Sequence, residues 1–280
     1  MSPILALVIG LVALVLYFAA FWLLQRAINN AAVVDVGWAM SVALVGVFYC
    51  AVSGGDANRR WLLAILILGW ATRLSLYLYS RWKQHPEDER YTSLKNKWGD
   101  HAPFRMFRFY QFQAVGAFIF TWPLLVVANL DVRLGGLDYV AIVVWGVSIV
   151  CEALSDLQLK WFKQDKANQG EVCRSGLWRY SRHPNYFFEW LHWWTYVLMA
   201  ATSPWVLVTL IAPLAMWHFL VNVTGIPTTE ARAIQSRGDK YRQYQHTTNA
   251  FFPWFPKNVQ VEKLSRNLLI GLNEGACQTS

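Results

Sequence analysis

The first 25 residues of the chain, Met1–Gln25, contain no charged side chain. At about 1.5 Å per residue, a helix of this length crosses the roughly 30 Å of hydrocarbon in a bilayer. No Lys or Arg precedes the run, so the positively charged start of a signal peptide is absent and we expect a retained transmembrane helix. The composition agrees, because only 15% of the 280 residues are charged, against roughly 25% in ordinary soluble domains.

Six more apolar runs follow, each long enough or nearly long enough to cross a bilayer. The predicted spans are Met1–Gln25, Ala31–Val52, Trp61–Tyr79, Tyr110–Leu130, Leu137–Leu157, Tyr186–Ala201 and Pro204–Gly225. The sixth is the shortest, and it carries Glu189 and His192. We therefore predict an all-α, polytopic membrane protein with seven transmembrane helices, in which residues 1–257 form a single domain and residues 258–280 form a C-terminal tail.

The net charge of +8 is distributed unevenly over the connections between these spans. Of the 25 Lys and Arg residues, 21 fall on one side and three on the other, while Arg73 lies within a span. Cytoplasmic loops of membrane proteins carry the excess of Lys and Arg. The sequence thus predicts an N-terminus outside and a C-terminus in the cytosol. The basic balance indicates topology, with the lipid bilayer as partner and no nucleic acid.

The sequence contains no pattern typical of a metal site or of a soluble nucleotide-binding fold. Its four cysteines are scattered, without a CxxC pair or a His at ligand spacing, so no metal is predicted. Neither GxGxxG nor GxxxxGKS/T occurs, so a Rossmann or P-loop site is unsupported.

Several ionisable side chains lie within or at the end of predicted spans, where a functional role is the default hypothesis. They are Asp35 in span two, Arg73 in span three, Asp156 at the end of span five and Glu189 in span six. A structural alternative is a buried ion pair between Asp35 and Arg73 that fixes two helices. Lys160 and Lys163 continue the face of Asp156, and for them the alternative is a pair of solvated cations.

The densest group of polar residues is the segment Gly176–Glu189. Pro184 suits the first turn of a helix, because its missing N–H would be unpaired there anyway. Asn185 and Glu189 then project from one face of that helix, one turn apart. The cations that stand just before it are Arg179, Arg182 and His183. Cations beside a helix N-terminus favour an anionic group such as a phosphate.

The segment GLWRYSRHPNYFFE (Gly176–Glu189) resembles a motif of the membrane steroid 5α-reductase family, and specifically of its bacterial branch. The resemblance also rests on residues near the end of span five and in the segment that follows span seven, namely Glu152, Asp156, Tyr241, Tyr244, Thr248 and Pro253. It covers roughly residues 60–257. A related pattern occurs in the sterol Δ14-reductases.

This resemblance implies a seven-helix bundle in a bacterial inner membrane that binds NADPH near its cytosolic side. The implied activity is reduction of the C4–C5 double bond of a 3-oxo-Δ4 steroid or similar lipophilic enone, with hydride added to C5 and a proton to C4. The implied cofactor-binding residues are Arg73, Asp156, Lys160, Lys163, Arg174, Arg182, His183, Asn185, Tyr186, Glu189, Tyr241 and Tyr244. Asp156, Asn185 and Glu189 match family positions directly, whereas Glu152 stands where the family has Asn.

The eukaryotic enzymes of this family grip the substrate carbonyl with a Gln–Glu pair in span two and a Tyr in span three. Span two of this chain has no such pair, so we expect Asp35, its only carboxyl, to be the substitute acid. Alignment on Arg73 places Trp70 at the Tyr position, with Tyr77 two turns further on. The predicted catalytic residues are Asp35, Trp70 and Tyr77, and Trp38 joins them in the substrate site. Such an acid polarises the carbonyl as charge develops on its oxygen.

Two other functions are compatible with the sequence. An isoprenylcysteine-type methyltransferase, which uses S-adenosylmethionine, shares the Arg-His-Pro-x-Tyr motif, but that family typically lacks counterparts of Asn185 and Glu189. A lipid- or sterol-binding protein without a cofactor is the third hypothesis. It leaves unexplained why polar groups converge on the cytosolic half of spans five and six. The sequence indicates no obligate protein partner.

Overall fold

A computed structural model describes residues 1–84 and 87–257, and within these ranges all regular secondary structure is helical. The helices are α1 (Pro3–Ile28), α2 (Val33–Val52), α3 (Ala57–Gln84), α4 (Glu89–Trp98), α5 (Ala102–Ala128), α6 (Gly136–Gln164), α7 (Pro184–Met199), α8 (Val206–Thr209), α9 (Ile211–His218), α10 (Ile226–Arg237) and α11 (Asp239–Thr247). A π-helical turn, Phe219–Val223, follows α9. The predicted all-α class is therefore confirmed for the part of the chain that the structure describes.

Six helical segments of the described chain are long and apolar enough to cross a membrane. They are Pro3–Ile28, Val33–Val52, Ala57–Lys83, Glu89–Ala128, Gly136–Gln164 and Val206–Arg237. The prediction of a polytopic integral membrane protein is thus confirmed. The predicted sixth span corresponds to α7, whose 16 residues extend about 24 Å, short of the roughly 30 Å hydrocarbon core. The seventh span and the orientation of the termini stay predictions.

The chain divides into two compact units. The first comprises Met1–Val150 and Glu189–Trp217, and the second comprises Cys151–Phe188 and the chain from His218 onward. Helices α6 and α7 each contribute residues to both units. The predicted tail, residues 258–280, lies outside the described residues.

Small residues bring α1 and α2 close together in the first unit. A Cβ added at Gly10 would meet the hydroxyl of Tyr49 at 2.5 Å, and one added at Gly37 would meet the ring of Phe21. Across the same contact, the hydroxyl of Tyr17 donates to the carbonyl of Gly37 at 3.1 Å. Because lipid provides no hydrophobic force between helices, close packing over small residues is a principal means of association.

A buried ion pair joins α3 to the start of α6 in the first unit. Arg59 is 2% exposed, and its guanidinium donates to the two carboxylate oxygens of Asp138 at 2.6 and 2.7 Å. Its other hydrogen bonds go to the carbonyls of Met199 at 2.7 Å, Val132 at 3.0 Å and Arg133 at 3.3 Å. Buried charges of this kind are tolerated only when they are paired and hydrogen-bonded. The sequence indicated only a loop cation at Arg59.

Candidate active site

A group of aromatic rings, which we call the aromatic cluster, is packed together in the first unit. Its members are Trp38, Trp70, Phe120, His192 and Trp193. Trp70 is fully buried and stacks on the imidazole of His192, with 4.9 Å between ring centroids and 9° between planes. It meets Trp193 edge-on at 5.2 Å and Trp38 at 6.5 Å. The cluster thus unites the two tryptophans predicted for the substrate site with two rings of α7.

Glu189, the carboxylate predicted for cofactor binding, borders the aromatic cluster. It is only 8% exposed, and it accepts the indole N–H of Trp70 at 2.9 Å and that of Trp193 at 3.3 Å. One donor therefore comes from α3 and the other from the next turn of α7. An ionised carboxylate only accepts hydrogen bonds, and here it is a negative charge held in largely apolar surroundings.

His192 belongs to the cluster, although the sequence analysis gave it no role. Its Nε2 lies 2.9 Å from the hydroxyl of Tyr196, and both residues are fully buried. Its Nδ1 is shielded and has no hydrogen-bond partner among the described residues. The spacing of four residues could have suggested the contact with Tyr196. Nothing in the sequence placed the ring of Trp70 against it.

The other two residues predicted on α3 contact each other. The guanidinium carbon of Arg73 lies 5.8 Å from the ring centroid of Tyr77, one turn further along the helix. This is a cation–π geometry. Trp70 thus enters the aromatic cluster, whereas the contact described for Tyr77 is with Arg73.

Asp35, the predicted acid, lies in the first turn of α2 and is held by two donors from α4. The hydroxyl of Tyr91 donates to Oδ1 at 2.7 Å, and the guanidinium of Arg90 donates to Oδ2 at 3.1 Å. The ion-pair alternative named Arg73 as the partner of Asp35, but the ion pair found for Asp35 is with Arg90. The carboxylate therefore anchors α4 to α2, in addition to any chemical role.

In the second unit, the first turn of α7 is bonded to the last part of α6. Nδ2 of Asn185 donates to Oδ1 of Asp156 at 3.2 Å, and Oδ1 of Asn185 accepts the N–H of Tyr186 at 3.1 Å. Asp156 is buried, as is Glu152 one turn earlier. The structure thus brings together two residues that the sequence predicted for cofactor binding.

Arg182 is bonded to the C-terminal segment of the second unit, residues 226–257. Its Nε donates to Glu230 at 2.7 Å, and its Nη1 donates to the carbonyls of Gln245 at 3.0 Å and Thr248 at 2.5 Å. Glu230 also accepts the side-chain amide of Gln245 at 2.6 Å and the hydroxyl of Tyr241 at 3.3 Å. The sequence analysis missed Glu230, on which two of its predicted residues converge. In this arrangement Arg182 and Tyr241 hold the C-terminal segment in place.

His183 is buried beside this network. Its Nδ1 lies 3.0 Å from the carbonyl oxygen of Ala250, and its ring stacks on that of Tyr186 at 5.3 Å. Burial lowers the pKa of His183 from 6.5 to about 4, although the carbonyl of Ala250 and the carboxylate of Glu230 favour the charged form. This shift favours the neutral imidazole near pH 7, so the exposed Lys and Arg residues are stronger candidates for a phosphate-binding cation than His183.

Three other cations predicted for the cofactor, Lys160, Lys163 and Arg174, are exposed on the second unit. Arg174 donates to the carbonyl of Lys240 at 2.7 Å, and its guanidinium carbon lies 5.6 Å from the ring centroid of Tyr244. Exposed Lys and Arg side chains are able to bind phosphate. These three cations are therefore better placed for a phosphate than Arg182, whose N–H groups donate to the C-terminal segment.

Every candidate residue from Asp35 to Tyr244 falls within a single family match. The match is to DUF1295, a family described as proteins of unknown function, and it extends over residues 21–248. The chain belongs to the DUF1295 family.

One relative of this DUF1295 protein is an uncharacterised protein of the fission yeast Schizosaccharomyces pombe. The two are 25% identical over an alignment 278 residues long, gaps included, which covers 88% of this chain and 79% of the yeast protein. No solved structure significantly matches the chain. The family match therefore establishes a family without naming a reaction, and the function has to be argued from the site.

Proposed function

We propose that this DUF1295 protein is an NADPH-dependent membrane reductase of the C4–C5 double bond of a 3-oxo-Δ4 steroid or a similar lipophilic enone. The observation that carries the proposal is the buried carboxylate of Glu189, which two indole donors hold beside an aromatic cluster. A carboxylate in a membrane protein core is costly and usually functional. The nicotinamide end of NADPH carries a carboxamide donor on a flat ring, and a carboxylate acceptor among aromatic rings suits both features.

The proposal assigns Glu189, a buried carboxylate that accepts hydrogen bonds from two indoles, to the carboxamide of NADPH. The resemblance to the 5α-reductases further assigns Lys160, Lys163, Arg174, Asp156 and Asn185 to the cofactor. The three cations are exposed, and Asp156 accepts a hydrogen bond from the amide of Asn185. When bound, NADPH would supply a hydride to C5 of the enone while C4 takes a proton, which leaves NADP⁺ and a saturated ketone.

The proposed roles in substrate activation depend on which donors are available. Trp70 has one N–H, and Glu189 accepts it, so we assign Trp70 to hold Glu189 and shape the substrate site. Asp35 and Tyr77 are the proposed acids. The hydroxyl of Tyr77 carries a proton, whereas Asp35 accepts hydrogen bonds from Tyr91 and Arg90 on its two oxygens and would donate only when protonated. A proton donor at the enone oxygen stabilises the negative charge that develops there during reduction.

We also propose that α7 is a seventh span, with the N-terminus outside and the C-terminus in the cytosol of a bacterial inner membrane. The support is the placement of 21 of the 25 Lys and Arg residues on one side. Fusions of a fluorescent protein and of alkaline phosphatase to each terminus test this. We expect fluorescence only at the C-terminus and phosphatase activity only at the N-terminus, whereas the same result at both ends contradicts an odd number of spans.

Identification of the bound cofactor separates this proposal from the methyltransferase alternative. The protein is purified in a mild detergent, its small molecules are identified by mass spectrometry, and NADPH consumption is followed with progesterone or testosterone. We expect NADP(H) to co-purify and its oxidation to depend on the enone. Bound S-adenosylmethionine would favour the methyltransferase. No NADPH consumption with any enone lipid would contradict a reductase.

Substitution of Glu189 tests the observation on which the proposal rests. Glu189→Gln keeps the size of the side chain but removes its charge and replaces one acceptor by a donor. We expect NADPH affinity to fall about tenfold or more, because hydrogen bonds to charged groups contribute about 1.5–3 kcal/mol. Glu171→Gln is the matched control, since Glu171 is an exposed carboxylate paired with Lys240. Equal affinity in the two variants would contradict the assignment.

A further inference from the structure

The C-terminal segment of the second unit ends in a loop of exposed aromatic residues, which we call the FPWF loop (residues 252–255). Phe252, Trp254 and Phe255 are 50%, 68% and 73% exposed. Single exposed apolar side chains are common, but three large rings within four residues form a patch, and such patches mark interaction surfaces. The proposed function gives this loop no role.

The FPWF loop is held against the segment that precedes α7. The carbonyl of Tyr180 accepts the N–H of Trp254 at 2.9 Å, and the ring of Tyr180 meets that of Phe255 edge-on at 5.8 Å. Just before the loop, the carbonyl of Phe251 accepts the hydroxyl of Ser181 at 2.8 Å. The exposed rings therefore stand on a backbone that is bonded to the rest of the unit.

The depth of the FPWF loop follows from the contact between its neighbouring segment and α6, a helix long and apolar enough to cross a membrane. Trp178, two residues before Tyr180, donates its indole N–H to the carbonyl of Ser155 on α6 at 3.0 Å. Ser155 lies five residues, about 7.5 Å along the helix, before Lys160, which is exposed and is the first cation of α6. The headgroup layer on each side of the hydrocarbon core is about 5–7.5 Å thick. The loop therefore lies at the headgroup end of α6, where lipid surrounds the protein.

We propose that the FPWF loop is an interfacial anchor, which inserts its exposed rings among the headgroups of the bilayer that the protein crosses. Trp is enriched at this level of membrane proteins because its ring is largely apolar and carries one polar N–H. The exposed cations Arg179 and Lys257, next to Tyr180 and two residues beyond Phe255, suit the phosphates of the same headgroups. The anchor fixes the depth of the segment Gly176–Glu189, from which α7 begins.

A photoreactive amino acid identifies what contacts the loop. p-Benzoylphenylalanine, incorporated in place of Phe255, keeps an aromatic ring there and couples on irradiation to the molecule that touches it. The full-length protein is irradiated in nanodiscs of phosphatidylcholine and phosphatidylglycerol, and the adducts are identified by mass spectrometry of the protein and its peptides. We expect adducts with the mass of a phospholipid. The same amino acid in place of Asp239, whose side chain is fully exposed on α11, is the control and should form none above background.

A double substitution tests whether the exposed rings produce the anchoring. With p-benzoylphenylalanine in place of Phe252, the lipid adducts should fall about tenfold or more in Trp254→Ser/Phe255→Ser, because each large apolar side chain favours apolar surroundings by at least that factor. Trp61→Ser makes the same change at a tryptophan of α3 that is 71% exposed, and it should leave these adducts unchanged. The thermal midpoint, measured in parallel, reports whether each variant is folded.

Three results would overturn the proposal. The first is an adduct between position 255 and a peptide of residues 258–280, and the second is an adduct with another protein chain. The third is equal lipid coupling from the positions of Phe255 and Asp239. Should the double variant fail to fold, the comparison of Phe255 with Asp239 still decides the outcome. The anchor is independent of the proposed reductase activity, since its test needs neither cofactor nor substrate.

Discussion

The indole N–H of Trp70 on α3 donates to Oε2 of Glu189 on α7 at 2.9 Å. This bond joins a residue predicted for the substrate site to a residue predicted for the cofactor site, although 119 positions separate them in the chain. A polar group that is buried without a partner is costly, so each of the two side chains stabilises the position of the other.

Removal of this donor should weaken cofactor binding and leave the fold intact. Trp70→Phe keeps an aromatic ring in the cluster but leaves Glu189 with one indole donor fewer, so we expect NADPH affinity to fall about tenfold. Trp145→Phe is the control, because its N–H bonds the carbonyl of Leu66 at 3.0 Å in the same unit, outside the aromatic cluster. Fluorescence titration with NADPH compares the two, and an equal loss in both would count against a cofactor role for Glu189.

Asp35→Asn should reduce turnover with the enone and leave NADPH affinity unchanged, because an amide is a much weaker acid than a carboxyl. The ion pair with Arg90 is partly exposed, with 31% of the Asp35 side chain accessible, so its loss should cost no more than about 1 kcal/mol of stability. A large fall in turnover is then attributable to chemistry. Asp88→Asn is the control, since Asp88 also bonds Arg90. Normal turnover in Asp35→Asn would make Tyr77 the next acid to test.

The stability of the second unit should depend on pH through His183. Its pKa falls from 6.5 in the unfolded chain to about 4 in the folded one, so between these values the unfolded state binds more protons. Stability contributed by the neutral imidazole is therefore complete above pH 6.5 and is lost as the pH falls toward 4. Thermal midpoints in detergent across this window should fall less steeply for His183→Gln than for wild type. His246→Gln changes an exposed histidine and should follow the wild type, and equal slopes in all three would contradict the assignment.

Breaking the buried ion pair between Arg59 and Asp138 should strongly destabilise the first unit. Asp138→Asn leaves the guanidinium of Arg59 buried without its counter-charge, and we expect a loss of about 3–5 kcal/mol. The thermal midpoint in detergent measures the effect. Arg133→Gln alters an exposed cation whose carbonyl, and not its side chain, bonds Arg59, so it should melt like the wild type. A small effect of Asp138→Asn would mean that water reaches the pair.

Much of the fold could be predicted from the sequence, because each segment must by itself be long and apolar enough to cross the hydrocarbon core. A run such as Met1–Gln25 is apolar over the length needed to cross a bilayer whatever its neighbours are, and α1 occupies Pro3–Ile28. Span six was the exception, since α7 is too short for a decision by length alone. Whether α7 crosses the bilayer depends on the helices that pack around it, and hydropathy carries no information about those contacts.

The candidate site also has a part that the sequence predicted and a part that it did not. The spacing of four residues between Asn185 and Glu189 was sufficient to place both on one face of a helix. The partners of these residues were not predictable, because they come from distant segments: Asp156 for Asn185, and Trp70 for Glu189. Glu230 was missed for the same reason. It is a single carboxylate in a polar segment, and no sequence pattern around it indicates that Arg182 and Tyr241 bind to it.

The uncharged first 25 residues and the uneven distribution of cations determined, by themselves, that this chain is a helical membrane protein. Both signals act locally, through the transfer of each segment from water to lipid. Only the tertiary structure decided how the few charged groups within the helices are used: Arg59 with Asp138, Asp35 with Arg90, and Glu189 with two indoles. The physical reason is that a buried charge is stable only beside specific partners, and partners that are distant in the chain meet only when the helices pack.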